Sequence, residues 1–494
     1  MNKTKMSQKI ASRSNEDIII NIIKKCYDIM CLEQAIVGEK AMHDLMRLLF
    51  LKFLEPLIEN NTIDIMDEKY YKDGPEWNSI DFNKNHLELI KWSVFYEKSK
   101  DNEQLEKNIK LLWKYILNTY PNSKLLFDND NLNCNVSTLR KLINSINEIK
   151  CNIQQISLDI FGEIYEVFIN QYQKNGNKIG QFFTNRNYIN VIFSLLNFKN
   201  NKNKQYKFLD PCAGTGGFTI EAKKHIDNIK LYSNEIEIST FSYLNLNMLL
   251  NGYPDLSNLN NVNSLHYLEP QEKFDLILTN PPFGTKIKYD DVLAKYKNNY
   301  CQDLIEEEKD EKKLKAKILE RFKTIFPYKA NKAELLFLQL CMYKLKPNGK
   351  CAIVLPDGQI LFGGGANRHV RKYMLDNFVF EKVLFAPSGA FEHTGIKTCV
   401  FFFRKPTLKE KEEAEKTKKP MTDSLEFWKT TADCQKWELM GSLTYDEMKE
   451  NNFSLCYEKY LLMAEMEKKY KYTSTEYEWK TLGKCVSLIW VKES

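Results

Sequence analysis

The chain has 494 residues, 43% hydrophobic and 13% aromatic, with 71 basic against 65 acidic side chains and a formal net charge of +6. That length exceeds one ordinary core and predicts two or three domains, while so small a positive balance permits nucleic-acid contact through a local patch without arguing for it. The absence of any apolar run of about 18 residues and of a signal-type apolar core in MNKTKMSQKIASRSNEDIII argues against a membrane span and predicts a soluble, cytoplasmic protein. Twelve cysteines without a CxxC pair predict reduced, buried thiols and no metal site.

Residues 1–157 read as a helical N-terminal domain. AMHDLMRLLFLKFLEPLIEN spaces Met42, Leu45, Leu48, Leu49, Leu51 and Leu54 on one broad stripe, and Pro56 is expected to bend or end that helix. LEKNIKLLWKYILNTY and VSTLRKLINSINEI repeat the period, and LDIFGEIYEVFINQYQ, from Leu158, repeats it again. From about residue 180 strands alternate with helices. YKFLDPCAGTGGFTIEAKKHI reads as strand, Gly-rich turn and helix; KLYSNEIEISTFSYLNLNMLLNG as strand and helix; KFDLILTNPPFG as a short buried strand. KAELLFLQLCMYKLKPNGKCAIVLPDG is helix, turn, strand, and FEKVLFAPSG and IKTCVFFFRK are strands close enough to pair. The pattern predicts an α/β fold: a mostly parallel sheet covered on both faces, with one antiparallel strand at an edge. The charge run at 306–323 reads as a solvated helix of an insertion at about 290–330, and that at 408–419 as an exposed helix or linker. The polar tail carries Trp428, Trp437, Trp479 and Trp490 as expected packing anchors.

Three stretches carry chemistry. In FLDPCAGTGGF a strand ends at Leu209, Asp210 follows, and three glycines precede a helix whose free N–H groups face the turn. No Gly-Lys-Ser/Thr follows, and the spacing is not GxGxxG, so neither a phosphate loop nor a dinucleotide fingerprint is present. Tight strand-to-helix packing alone would account for such a turn. The next strand, however, ends in Asn234-Glu235, where a carboxylate can accept both hydroxyls of a ribose. GQFFTNR, just ahead of the first strand, reads either as a boundary loop pinning its rings in the core or as a lid over the same ligand. Asn280-Pro281-Pro282-Phe283 ends a strand on two prolines, which forbid continuation. An asparagine oxygen and the Pro281 carbonyl can accept the two hydrogens of an exocyclic amine, turning its lone pair toward an electrophile, while the Phe283 ring can stack on a planar base.

Taken together and in this order, residues 180–186, 208–218, 235 and 280–284 resemble the signature set of S-adenosylmethionine-dependent adenine-N6 DNA methyltransferases, most nearly the modification subunit of type I restriction–modification systems. DIFGEIYEVFI, LKPNGKCAIVLPDGQILF and FAPSGAFEHTGIKTCVFFFRK are similar to that family beyond the motifs, and the likeness spans roughly residues 15–465. The resemblance implies a Rossmann-like methyltransferase domain at 158–406 behind an all-α N-terminal domain, then a helical extension at 407–470. It assigns Asn280, Pro281, Pro282 and Phe283 to the flipped adenine. Asp210, Gly214, Thr215 and Gly216 would surround the methionine part of S-adenosylmethionine, Glu235 would take its ribose, and Asn263 would lie near its adenine. Gln181, Phe182, Phe183 and Thr184 would close over it. ENNFSLCYEKYL resembles the end of the family's domain, with Cys456-Tyr457 where Asn-Pro is common. YEWKTLGKCVSLIW, within 471–494, resembles the opening of a target-recognition domain and suggests a truncated or split fusion of modification and specificity modules.

The implied activity is methyl transfer to adenine N6 in double-stranded DNA. The implied partners are duplex DNA, a specificity subunit, a restriction subunit and a second copy of the chain. Two rivals share the motifs: an RNA or protein-glutamine methyltransferase, which usually favours Tyr at the aromatic position, and a non-catalytic DNA-binding scaffold whose cleft the insertion has closed.

Overall fold

The computed structural model describes residues 3–59, 90–119, 132–150, 164, 186–253, 255–268, 272–386, 396–431 and 436–470. Helices Lys3–Gln34, Glu39–Glu59, Trp92–Lys98, Asn102–Thr119 and Val136–Asn147 come first, then Arg186–Leu196. The stripe in Glu39–Glu59 is a core face: Met42, Leu45, Leu48, Leu49, Leu51 and Leu54 are all buried. Pro56 does not end this helix, which runs on to Glu59; the proline removes one intrahelical hydrogen bond close to the C-terminal end, where few further turns depend on it. The buried Asp44 carboxylate accepts the backbone N–H groups of Asn133 and Cys134 at 2.8 and 3.2 Å and the Asn133 amide at 2.9 Å. Asn135 caps the following helix by accepting the Thr138 N–H at 2.9 Å. The helix expected from Leu158 lies outside the described residues apart from Ile164.

Among the described residues nine strands form one sheet: β1 Tyr206–Asp210, β2 Ile229–Glu235, β3 Leu259–Asn261, β4 Phe274–Thr279, β5 Leu345–Pro356, β6 Val379–Phe385, β7 Thr398–Arg404, β8 Ser424–Thr430 and β9 Trp437–Thr444. Their order is β3-β2-β1-β4-β5-β7-β6-β8-β9. The first five strands of this order run parallel. β4 is buried at every position, as a strand covered on both faces must be. Its side chains alternate between two cores. Leu276 and Leu278 join Phe208 and the N-terminal helices, whereas Ile277 joins Leu209 and the helices of the other face. Helix Glu39–Glu59 packs on helix Ile238–Leu250, so the N-terminal core is continuous with one face of the sheet.

The expected α/β sheet, mostly parallel with an antiparallel edge strand, is present, and its right-hand half holds more than the sequence reading drew. β6 and β7 pair antiparallel, as their spacing suggested, but β7 is slotted between β5 and β6 rather than at the rim. Its run from Thr398 to Phe403 is buried throughout, which suits an interior strand. The antiparallel edge is β9, paired with β8, which runs parallel to β6. The stretch 407–470 is therefore not only helical. It holds helix Leu408–Thr417, then β8 and β9, then helices Tyr445–Glu450 and Tyr457–Tyr470. The period-2 burial of Leu425 and Phe427 against the second core makes β8 a strand. Trp428 is half-buried and Trp437 is exposed at 39%, so Trp437 is no anchor; Trp479 and Trp490 lie outside the described residues.

The insertion forms helices Tyr289–Tyr300, Gln302–Glu307 and Glu311–Lys323. The charged run is solvated on one side only, because Ile318 and Phe322 bury against Tyr289 and Tyr296. No helix among the described residues is long and apolar enough to cross a membrane.

One buried cation ties the loop after β5 to the C-terminal segment. Arg371, 1% exposed, donates from Nε to Phe453 O at 2.6 Å, from Nη1 to Ile360 O at 3.0 Å and from Nη2 to Gly363 O at 3.0 Å. Arg371→Met would leave three buried carbonyls unpaired and is expected to cost roughly 3 kcal/mol of stability. Arg371→Lys should recover little, since an ammonium lacks the planar fork. Urea denaturation of both variants measures this.

Candidate active site

The strand order reverses direction between β1 and β4, and there the carboxyl ends of parallel strands open a crevice. Register brings the relevant ends level: Asp210 pairs with Ser233, Glu235 with Asn261, and Leu209 with Ile277. A cavity of about 330 Å³ lies there. Asp210, Gly214, Thr215, Glu235, Asn263, Asn280, Pro281 and Pro282 all line it. Residues from four separate strand ends, spread along the chain from Asp210 to Pro282, thus share one space. No residue between 288 and 336 lines the cavity, so the insertion does not close it.

The turn after β1 is built by glycine. Gly214 has φ +56° and Gly216 φ +99°, the left-handed region. A Cβ at Gly216 would also lie 2.6 Å from Leu244 Cδ1, whereas at Gly214 nothing lies within 4 Å. Gly216 therefore serves packing and is not among the cavity-lining residues, while Gly214 bares its backbone to the cavity.

Glu235 holds this turn. Its Oε2 accepts the Gly214 N–H at 2.9 Å and its Oε1 the Glu237 N–H at 2.8 Å. With about four lone-pair directions on its two oxygens, the carboxylate keeps acceptor capacity for a ligand hydroxyl. Burial raises its pKa, and the N–H groups of Glu237, Gly214 and Ile236 counter that. Behind the turn, Ala213 N–H donates to Asn234 O at 2.9 Å, Asn234 Nδ2 to Ser264 Oγ at 2.9 Å, and Ser264 Oγ to Pro211 O at 2.7 Å. Asn263 is shaped by its own turn, its Oδ1 accepting the Leu265 N–H at 3.0 Å.

Asp210 is 1% exposed, and Oδ1 accepts the Cys212 N–H at 3.0 Å. Burial, aided by the charge of Glu235, pushes its carboxyl up to about 7 against the pull of the Cys212 N–H and the Thr279 hydroxyl. Thr215, 2% exposed, has a buried hydroxyl without a hydrogen-bond partner.

Phe283 behaves differently from the other three residues of its motif. It is 7% exposed, belongs to the core shared with the N-terminal helices and is not among the cavity-lining residues. Gln181, Phe182, Phe183 and Thr184 lie outside the described residues. The cavity also takes in Arg186, the last residue of GQFFTNR, and residues that the sequence reading did not single out: Ile189, Ile236, Thr285, Ile287 and Phe337. Ile236 carried a readable signal, being an apolar residue directly after the acidic strand end, and it is 62% exposed. Phe337 carried none, since its helix reads as core along its whole length.

This is a methyltransferase architecture. The methyltransferase subunit of a type I restriction–modification system from Streptococcus thermophilus superposes with a TM-score of 0.62 at 18% identity, covering 89% of this chain and 98% of that one. The chain belongs to the N-6 DNA methylase family, whose model matches residues 156–469. It is 27% identical to the Escherichia coli type I restriction enzyme EcoEI methylase subunit over 78% of this chain and 75% of that protein. It is also 25% identical to the Mycoplasma pneumoniae MpnII methylase subunit over 78% and 72%.

The raised carboxyl of Asp210 sets a direction for stability. Its pKa in the folded state is about 7, against roughly 3.9 in an unfolded chain. Above pH 7 it is charged in both states, and folding bears the full cost of burying it; as pH falls toward 4 that cost vanishes. Asp210→Asn is therefore expected to stabilise the ligand-free protein at pH 8, by up to about 4 kcal/mol, and to have little effect near pH 4. Urea midpoints at the two pH values check the sign.

Proposed function

We propose that the chain is the modification subunit of a type I-like restriction–modification system, transferring a methyl group from S-adenosylmethionine to adenine N6 in double-stranded DNA. The observation that carries this is the shared cavity: Asn280 and Pro281, at the end of β4, line the same space as the Gly-rich turn and Glu235. Family membership narrows the reaction to adenine N6, which disfavours the RNA and protein-glutamine readings. The open cavity, free of insertion residues, disfavours a closed relic.

The residues fit the donor. Glu235 is held with spare acceptor directions for ribose hydroxyls, Gly214 leaves open space, the Thr215 hydroxyl lacks a partner, and Ile236 offers an apolar surface to a base. S-adenosylmethionine, when bound, supplies an electrophilic methyl group. The chain's own part is to position and polarise the acceptor. The target adenine must leave the duplex stack to reach Asn280. The Asn280 amide oxygen and the Pro281 carbonyl accept the two amine hydrogens and aim the nitrogen lone pair at the methyl. The rigidity of Pro281-Pro282 holds that aim, so little reorganisation is needed at the moment of reaction. A nitrogen–carbon bond forms as the carbon–sulfur bond breaks, and the surplus amine proton leaves afterwards, so no general base is required before transfer. In this reading Gln181, Phe182, Phe183 and Thr184 close the cofactor side, Asn263 lies near its adenine, and Phe283 turns to stack on the target. Sequence choice comes from a separate specificity subunit. A restriction subunit and a second copy of this chain complete the assembly, and the unit of 158–406 works behind the helical domain of 1–157.

Calorimetry with S-adenosylmethionine tests the cofactor half. Asn280→Ala should bind it as the wild type does, while Gly214→Trp, which fills the cavity at a left-handed position, should abolish binding. Methyl transfer from labelled donor, with a cognate specificity subunit, tests the other half: Asn280→Ala should lose at least ~100-fold in rate on duplex DNA. Label appearing in RNA or protein but not in DNA would overturn the assignment.

A further inference from the structure

The stretch LKPNGKCAIVLPDGQILF runs past the end of β5, and the cavity leaves its last residue without a role. Phe362 is 51% exposed, while Ile360 and Leu361 before it are buried. The turn that carries it is pinned. Arg371 holds the carbonyls of Ile360 and Gly363, one on each side of Phe362, and the Leu455 N–H donates to Leu361 O at 2.8 Å. The Gly363 N–H closes the turn onto Gln359 O at 2.7 Å. A single exposed ring is ordinary on a protein surface and carries nothing alone. What carries more is that this ring stands on a turn fixed by a buried guanidinium, and what surrounds it.

Its surroundings lead back to the site. β5 lies parallel beside β4, with Thr279 opposite Ile353, so the loop after β5 leaves the sheet at the same edge as Asn280. Two contacts join the loops there into one surface. Lys286, in the loop that follows Phe283, forms an isolated β-bridge with Lys332. Tyr328 stacks on His369 of helix Ala366–Asn377, with ring centroids 5.6 Å apart. Lys286, Lys288 and Arg368 are exposed along this path. Lys329 and Lys372 are exposed there too, but pair with Asp290 and Asp376. Between Phe362 and Arg368 the backbone is bare: nothing lies within 4 Å of where a Cβ of Gly364 or Gly365 would be. Gly364 also lacks a left-handed φ, so neither packing nor conformation calls for glycine there, whereas the close approach of another molecule does. Cations, bare backbone and one fixed aromatic ring suit a sugar–phosphate chain with a gap in its stack.

An adenine that leaves the duplex leaves such a gap behind it. We propose that Phe362 fills it: the turn at 359–365 enters duplex DNA at the target pair, the ring stacks on the bases that flank the vacated position, Gly364 and Gly365 admit the sugar–phosphate chain, and Lys286, Lys288 and Arg368 contact its phosphates. Phe362 is a positioning residue. It touches no reacting atom, and it acts by keeping the target base from returning to the stack. The assignment rests on the duplex-DNA reading above and adds to it the residue that stabilises the flipped state. Arg371 gains a part in this as well, because a ring already held in place needs little ordering when DNA arrives.

The test uses the full chain with its cognate specificity subunit and two duplexes. One carries the site that the wild type methylates; the other has the target adenine opposite an abasic position, where leaving the stack is easier. Phe362→Ala is expected to lose roughly 10- to 100-fold in kcat/KM on the paired duplex, the worth of one aromatic–base stack, and less than about 3-fold on the abasic one. Phe362→Trp, which keeps a stacking ring, should recover most of the loss. The ring is at the surface, so the affinity of Phe362→Ala for S-adenosylmethionine should match the wild type. Arg368→Gln should weaken both duplexes alike and lower the slope of log affinity against log salt by about 1. Equal loss on the two duplexes, no loss on either, or a fall in S-adenosylmethionine affinity in Phe362→Ala would each overturn the wedge alone. An unchanged salt slope in Arg368→Gln would overturn the phosphate contact. A wild-type assembly that methylates neither duplex would overturn the DNA methyltransferase reading and the wedge with it.

Discussion

Two backbone N–H groups, those of Gly214 and Glu237, converge on the carboxylate of Glu235. Through them the end of β2 holds the turn that leaves β1, and the width of the crevice follows. A Gly-rich turn has little conformational preference of its own, so something outside it must choose one of its many shapes. Here the choice is made by Glu235 in front and by the chain of Asn234, Ser264 and Pro211 behind. Both supports belong to neighbouring strands, so the site is as rigid as the sheet. The price is a buried carboxylate at Glu235 and another at Asp210, each with a raised pKa. Acceptors desolvated in advance are what a polar ligand needs, and their cost falls on folding rather than on binding.

The rest of the molecule braces this crevice from both faces. On one face, helix Glu39–Glu59 packs against helix Ile238–Leu250, so a helical region far away in sequence shares a core with the strands that carry the site. On the other face lie helix Ala333–Lys344 and the insertion, whose Phe322 and Tyr296 are buried there. β8 and β9 widen the sheet beyond β6, and Arg371 fastens the loop after β5 to the segment that follows them. The insertion adds mass to this face without entering the cavity.

Asn280 and Phe283 stand three residues apart on one proline-stiffened loop, yet they face different surroundings. Asn280 lines the cavity, and Phe283 lies in the core behind it. A ring that is 7% exposed contributes apolar burial while no base is present. The same residue type at the same position therefore serves packing in the structure described, and stacking on a base requires it to leave that packing.

The local chemistry was legible in the sequence because it is written in contiguous residues. FLDPCAGTGGF, the Asn234-Glu235 strand end and Asn280-Pro281-Pro282-Phe283 each state their backbone needs within a few positions, and the alternation of apolar strands with helices implied a parallel sheet. Three things were decided only in three dimensions. β7 sits inside the sheet rather than at its edge because both its faces are covered, and β8 and β9 extend the sheet because Leu425 and Phe427 find the second core. Phe337 lines the cavity although it lies in no motif that names a ligand contact, and Arg186, the last residue of GQFFTNR, reaches the same space, since both depend on how two helices pack. Which glycine bares its backbone and which merely avoids Leu244 or Arg186 is likewise unreadable from GTGG, because the distances are set by residues on other elements. The sequence determined the turns and strand ends around the crevice, through short-range steric and hydrogen-bonding rules; only tertiary packing determined which of those residues share one cavity, because that depends on contacts between elements distant in sequence.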